Sequence, residues 1–283
     1  MKSLKDCFKL SNGVDIPCIG FGTFQSADGD ECISAVKNAI DVGYRHIDTA
    51  QGYGNEESVG IAVKECGIPR NEIFITTKLT NTIRGYDETI EAFEVSMKKL
   101  DMEYLDLFLI HWPNPIGFRD CWQKVNVDTW RAFETLYNEK RIRSIGISNF
   151  LPHHLDELLK TAVIVPMVNQ IRLCPGDTQD ESVAYCRLKG ILLQAYSPFG
   201  MGQIFDVPEI KALAEKYKKS IAQICVRWSL QRDYLPLPKS VKLSRIKENA
   251  DVFDFELEAA DVDLIANMKG CIGYSKDPDT TMF

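Results

Sequence analysis

Four side chains within the first 111 residues could together deliver a proton: Asp48, Tyr53, Lys78 and His111. A phenol titrates near ~10 and is a weak acid at neutral pH. An ammonium beside it stabilises the phenolate and lowers that value, and a carboxylate can hold the ammonium in place. An imidazole can hydrogen-bond and orient a carbonyl oxygen. Such a set would protonate an oxygen that turns negative as hydride reaches the carbonyl carbon. Taken singly, each residue has a plainer reading. Asp48 could stabilise a loop, Tyr53 could pack, Lys78 could end a solvated strand, and His111 could be a core histidine ahead of Trp112-Pro113. The four matter only if the fold brings them together.

Strand-like and helix-like segments alternate along the chain. Strands are predicted near residues 19–22, 44–48, 73–79, 105–111, 142–148, 167–171, 192–197 and 234–238. Helices are predicted over residues 31–42, 57–66, 89–100, 129–138, 155–159, 181–188, 208–231 (broken near Lys219-Ser220) and 243–252. Asn12-Gly13, between CFKL and VDIP, predicts an N-terminal β-hairpin. Eight βα units predict an α/β fold, a (β/α)8 TIM barrel forming one domain over residues 1–283. In such a barrel the C-terminal strand ends share one face, and Asp48, Lys78 and His111 stand at the ends of the second, third and fourth strands. A doubly wound sheet has little support, because Gly20-Phe21-Gly22 lacks the third glycine and the acidic residue of a dinucleotide fingerprint. Residues 113–126 and the tail from Cys271 fall outside the barrel count.

The segments GYRHIDTAQGYGNEESVG, IFITTKL, LFLIHWP, IGISNF, VNQI, QAYSPFG and PKSVKLSRIKEN, in that order from residue 43 to 249, resemble the aldo-keto reductase family. The ending DPDTTMF is similar to bacterial and protozoal members that resemble diketogluconate reductases. The resemblance implies NADPH-dependent reduction of aldehydes and ketones to alcohols, with Asp48, Tyr53, Lys78 and His111 as catalytic tetrad and Tyr53 as general acid. It implies a nicotinamide carboxamide site at Ser148, Asn149 and Gln170, and Tyr196 stacked on the nicotinamide ring. Gly22, Thr23 and Asp48 would lie close to the cofactor, and Ser197 and the loop after it would meet the pyrophosphate. Lys239, Ser240 and Arg245 would hold the 2′-phosphate, with Val241 also at the cofactor and Glu248 and Asn249 at the adenine. Phe24, His111 and Trp112 would line the substrate pocket, beneath a variable loop over residues 114–126 that carries Phe118, Arg119 and Trp122.

Two stretches depart from the family pattern. Ile171-Arg172-Leu173-Cys174-Pro175 stands where many members have Ile-Glu-x-His-Pro, which should alter packing or an ion pair at that strand end. Lys242-Leu243 replaces a polar residue and a proline, adding a cation beside the 2′-phosphate site. The loop Ser197–Asp206 is short for covering a pyrophosphate. A slow-turnover, cofactor-holding sensor on the same fold is the rival reading, and a kept tetrad speaks for the enzyme.

Composition narrows the partners. Hydrophobic residues make up 45% and charged residues 26%, the mix of a globular chain. A net charge of -7 disfavours nucleic acid. Nine scattered cysteines without a C-x-x-C pair argue against a disulfide framework or a zinc site. No metal is expected: only four histidines are present, and His153-His154 would start a helix. No apolar run spans a bilayer and MKSLKDCFKL lacks the apolar stretch of a signal peptide. A cytoplasmic monomer acting on a small carbonyl compound is the resulting expectation.

Overall fold

The sheet closes on itself at a seam where Gly20 leaves room for its neighbours. In the computed structural model, which describes residues 1–283, ten strands form: β1 (Cys7–Lys9), β2 (Asp15–Pro17), β3 (Phe21–Gly22), β4 (His46–Asp48), β5 (Phe74–Leu79), β6 (Leu105–Ile110), β7 (Ile142–Ser148), β8 (Val168–Arg172), β9 (Leu192–Tyr196) and β10 (Leu235–Leu237). β1 and β2 pair as an antiparallel hairpin, and β3 to β10 run parallel in chain order. The two ends of that order meet where Gly20 N–H donates to Pro236 O at 3.0 Å and Gly22 N–H to Pro238 O at 3.1 Å. A Cβ at Gly20 would stand 2.4 Å from Leu237 Cδ2 and 2.6 Å from His46 Nδ1, so any larger residue must displace those side chains at the seam. The predicted eight-stranded barrel and hairpin are therefore present.

The strands are apolar because helices cover their outer faces and side chains fill the interior. Every residue of β6 is buried, and so is every residue of β5, Lys78 included. The helices are α1 (Asp30–Val42), α2 (Glu56–Glu65), α3 (Tyr86–Leu100), α4 (Trp122–Asn138), α5 (Pro152–Leu159), α6 (Asp180–Leu188), α7 (Pro208–Tyr217), α8 (Ile221–Gln231), α9 (Leu243–Ala250) and α10 (Ala259–Ala266). In α1, Cys32, Ala35, Val36, Ala39 and Ile40 recur at helical spacing and form its buried face. The predicted break in the long segment is real. Lys218 takes φ 54°, and Ser220 restarts the chain with a capping box, accepting from Gln223 N–H at 3.2 Å while Gln223 Oε1 accepts from Ser220 N–H at 2.9 Å.

Two sequence expectations need correction. Residues 114–126 are not all loop: a 3₁₀ turn over Ile116–Cys121 leads into α4, which begins at Trp122, seven residues before the predicted start. Asn126 and Thr129 both lie on the buried face of the helix. The chain beyond residue 252 adds α10, which packs on α8 through Trp228 Nε1–H donating to Val262 O at 3.2 Å.

Gly20→Ala should lower stability by about 1–3 kcal/mol, the usual cost of overpacking a close contact. Denaturant unfolding measures this, and an unchanged midpoint would show that the seam at Leu237 and His46 yields freely.

Candidate active site

Register places the chemistry on one rim. Gly22 pairs with Asp48, Asp48 with Thr76, Lys78 with Leu109, Ser148 with Gln170, and Gln170 with Gln194. His111 follows β6 directly. Tyr53 ends a short 3₁₀ turn over Gln51–Tyr53, five residues beyond Asp48. The four residues predicted from sequence are together. Lys78 Nζ donates to Asp48 Oδ1 at 2.6 Å, Thr49 O at 2.9 Å and Tyr53 Oη at 3.3 Å. The Tyr53 ring meets His111 edge-on at 5.7 Å and Phe24 at 5.0 Å.

The electrostatics differ from the sequence expectation in one respect. Burial, with help from the Asp48 carboxylate, holds the Tyr53 phenol well above its ordinary range. The neighbouring ammonium does not win, because its charge is already matched by Asp48 at 2.6 Å. Burial also pulls Lys78 down, against Asp48, which favours its charge. His111 is driven well below its usual value by burial and then by the charges of Lys78 and Arg84, so its imidazole is neutral. The resting site thus holds a proton-loaded phenol beside a neutral imidazole.

Asp48 also faces the other way. Its Oδ2 accepts from Gln170 Nε2 at 2.7 Å, and the second proton of that amide goes to Gln194 Oε1 at 2.8 Å. With both amide protons committed, Gln170 keeps Oε1 as its unused acceptor; the reversed amide would set oxygen against a carboxylate. Asn149 is held at φ 62° and fully engaged. Its Nδ2 donates to His111 O and Ser148 Oγ, both at 3.0 Å, and its Oδ1 accepts from Tyr196 Oη at 2.8 Å. Ser148 Oγ donates to Gln170 O at 2.7 Å. Thr23 Oγ1 donates to Asp48 O at 3.0 Å, and Asn55 Nδ2 ties the same turn through Thr23 O and Ser26 O.

Lys239 Nζ donates to Gln25 O at 2.9 Å, and Ser240 Oγ accepts from Lys242 N–H at 3.1 Å. Lys242 and Arg245 are exposed around the start of α9, whereas Val241 and Glu248 are half-buried and Asn249 is buried. A free acceptor at Gln170 and unengaged cations at α9 are what an amide at one end and a phosphate at the other would require.

The contacts of the C-terminal tail were not read from sequence. Trp112 does not face an open loop, because Phe283 covers it edge-on at 4.9 Å. Arg119 is not aimed at a ligand; its Nη2 donates to Thr281 O of the same tail. Asp279 anchors the tail, with Oδ1 2.9 Å from both Asn114 Nδ2 and His154 Nε2, and Oδ2 3.1 Å from His153 Nε2. His154 Nδ1 accepts from Leu151 N–H at 3.1 Å, which places its proton on Nε2, toward Asp279. A cation on Nε2 would force that proton to Nδ1, donor against donor, so the cluster is suited to clamp the tail. A cavity of about 200 Å³ opens between Asn149, Leu151, Gln179 and the tail residues Ser275, Lys276, Asp277 and Pro278.

A model of the aldo/keto reductase family matches residues 18–269. The chain belongs to the aldo/keto reductase family. It is 48% identical over 281 residues to a Bacillus subtilis protein named glyoxal reductase, covering 99% of each chain. The crystal structure of an aldo/keto reductase from Brucella melitensis superposes with a TM-score of 0.88 at 44% identity, over 94% of this chain and 98% of that one. An aldo-keto reductase of Bombyx mori, solved in complex with NADP, superposes with a TM-score of 0.86 at 36% identity, over 96% and 94%. In this family member the described helices include none long and apolar enough to cross a membrane.

Burial holds His154 neutral, with its titration pushed down to about 4, and His46 down to about 3. An unfolded histidine binds its proton near ~6.5, so between that value and about 4 the unfolded chain holds more protons than the folded one. Stability present above pH 6.5 should therefore fall as the pH is lowered toward 4. Thermal melts across that range should show it, with a shallower slope for His154→Gln. An identical slope in that variant would remove His154 from the account.

Proposed function

We propose that the chain reduces aldehydes and ketones to alcohols with NADPH, and that Tyr53 is the proton donor. The observation that carries this reading is the Lys78 ammonium, 2.6 Å from Asp48 and 3.3 Å from the Tyr53 hydroxyl on the barrel rim. When bound, NADPH supplies hydride to the carbonyl carbon. The chain's own work is to hold the carbonyl and its proton. Neutral His111 donates a hydrogen bond to the carbonyl oxygen and orients it toward Tyr53. The phenol stays protonated until that oxygen becomes strongly basic, then releases its proton, and Lys78 stabilises the phenolate left behind. Asp48 keeps the ammonium charged and in place.

Phe24, Trp112 and Phe283 would give the substrate an apolar lining, with Trp112 buried and Phe24 and Phe283 still open to solvent. The relative named glyoxal reductase supports short dicarbonyls as the first substrates to try. The Bombyx mori neighbour in complex with NADP supports the cofactor. Gln170 Oε1 would accept from the carboxamide, with Ser148 and Asn149 beside it and Tyr196 against the ring. Gly22, Thr23 and Ser197 would line the path, Lys239, Ser240 and Arg245 would take the 2′-phosphate with Val241 beside the cofactor, and Glu248 and Asn249 would meet the adenine. The reading includes a cytoplasmic monomer without a nucleic-acid partner, in keeping with a net charge of -7.

Tyr53→Phe keeps the ring and removes the proton. Reduction should fall by roughly 10²-fold or more, the scale of general acid catalysis, with NADPH binding unchanged. Near-normal turnover with a fast chemical step would exclude Tyr53 as the acid. For the cofactor, Arg245→Ala should weaken NADPH by about ten- to a hundredfold, one charge-assisted bond, and leave NADH alone. Titration of both nucleotides decides it, since equal losses would place Arg245 in the fold or at the adenine.

A further inference from the structure

The proton donor stands on a weak piece of backbone. Tyr53 ends the single 3₁₀ turn Gln51–Tyr53, with Gly52 before it and Gly54, at φ 72°, after it. Glycine on both sides leaves the chain its widest conformational freedom. A Cβ at either glycine would meet nothing within 4 Å, so no neighbour braces the turn from those sides. The turn's own backbone contributes Tyr53 N–H donating to Ala50 O at 2.9 Å and Gly54 N–H donating to Gln51 O at a long 3.3 Å. Phe24, which packs on the phenol ring, is itself 49% exposed. The phenol hydroxyl takes the longest of the three Lys78 hydrogen bonds, at 3.3 Å.

One side chain ties this turn to the barrel. Gln51 Nε2 donates to Ala92 O at 2.9 Å and to Ser96 Oγ at 2.8 Å, both on α3, and Gln51 Oε1 accepts from Thr80 N–H at 2.8 Å. A carbonyl only accepts and a backbone N–H only donates, so the amide has one possible orientation. Ala92 and Ser96 are buried, and Thr80 directly follows β5, two positions beyond Lys78. Gln51 thus fastens the turn that carries the phenol to the strand that carries the ammonium, and to the helix that follows that strand. None of its three side-chain bonds reaches the side chains of Asp48, Tyr53, Lys78 or His111.

We propose that Gln51 is a positioning residue for the reduction: its amide holds the Tyr53 hydroxyl where Lys78 and the carbonyl oxygen can both meet it. This rests on the reading of Tyr53 as proton donor. A displacement of about 1 Å at a reacting group costs on the order of 10²-fold in rate. The proposed nucleotide contacts lie outside this turn, so binding of NADPH does not share that sensitivity.

The test is single-turnover hydride transfer from bound NADPH to glyoxal, read together with NADPH affinity and Tm. Gln51→Met keeps the length of the side chain and removes all three hydrogen bonds. It should slow the transfer by about ten- to a hundredfold while NADPH affinity stays that of the parent. Beside Tyr53→Phe the same substitution should cost nothing further, because the proton it positions is already gone. If Gln51→Met folds poorly, Gln51→Glu carries the test. It keeps the acceptor for Thr80 N–H and gives up the donors to α3, so it should still slow the transfer and still cost nothing beside Tyr53→Phe. A folded Gln51 variant with the parent rate overturns the proposal. So does a loss that persists in full beside Tyr53→Phe, which would make Gln51 a support of the barrel at large. A Tyr53→Phe variant that itself keeps the parent rate overturns the reading of the donor instead.

Discussion

The buried ion pair between Lys78 and Asp48 is the interaction on which the rest of the site depends. Removing two charges from water is expensive, and a pair survives burial only when its remaining donors and lone pairs are also satisfied. Here they are. The ammonium reaches Asp48, Thr49 O and Tyr53, and the carboxylate splits its oxygens between Lys78 and Gln170. Each of these bonds is thus a condition for the pair as well as a contact in its own right. The same carboxylate fixes the ammonium on one side and, through Gln170, the polarity of an amide chain ending at Gln194 on the other.

Much of this was legible in the residues. Asp48, Lys78 and His111 could be found because apolar strands end where they stand, and barrel geometry gathers strand ends. Gln194 was not found as a partner, although it lies in the quoted QAYSPFG, because its role comes from register with Gln170 and not from local sequence. The rise in the Tyr53 phenol was missed for a related reason. Sequence supplies the neighbouring charge but not the depth of burial, and depth wins. The start of α4 was misplaced by seven residues, because the stretch before Thr129 was counted as loop although Asn126 already lies on the buried face of the helix.

The tail was the least legible part, since it acts entirely through distant contacts. Ile272 packs against Gly176 and Gly200, Gly273 N–H donates to Gln203 Oε1 at 2.6 Å, Asp279 is clamped at the start of α5, and Phe283 covers Trp112. One strand of chain therefore touches the loop after β9 and the wall behind His111. Changes there can reshape the pocket without disturbing the proton-handling residues.

The seam at Gly20 bears on how the molecule comes to be made. Its hydrogen bond to Pro236 joins residues more than two hundred positions apart, so the loop it closes is among the longest the chain contains. Long-range closure is entropically late, and contacts of this separation slow folding. Until β10 has emerged and docked, β3 and the last strand formed are open parallel edges, the kind of surface that recruits other chains. The bare backbone at Gly20 shortens that interval, because the final strand can settle there without first moving Leu237 or His46 out of the way.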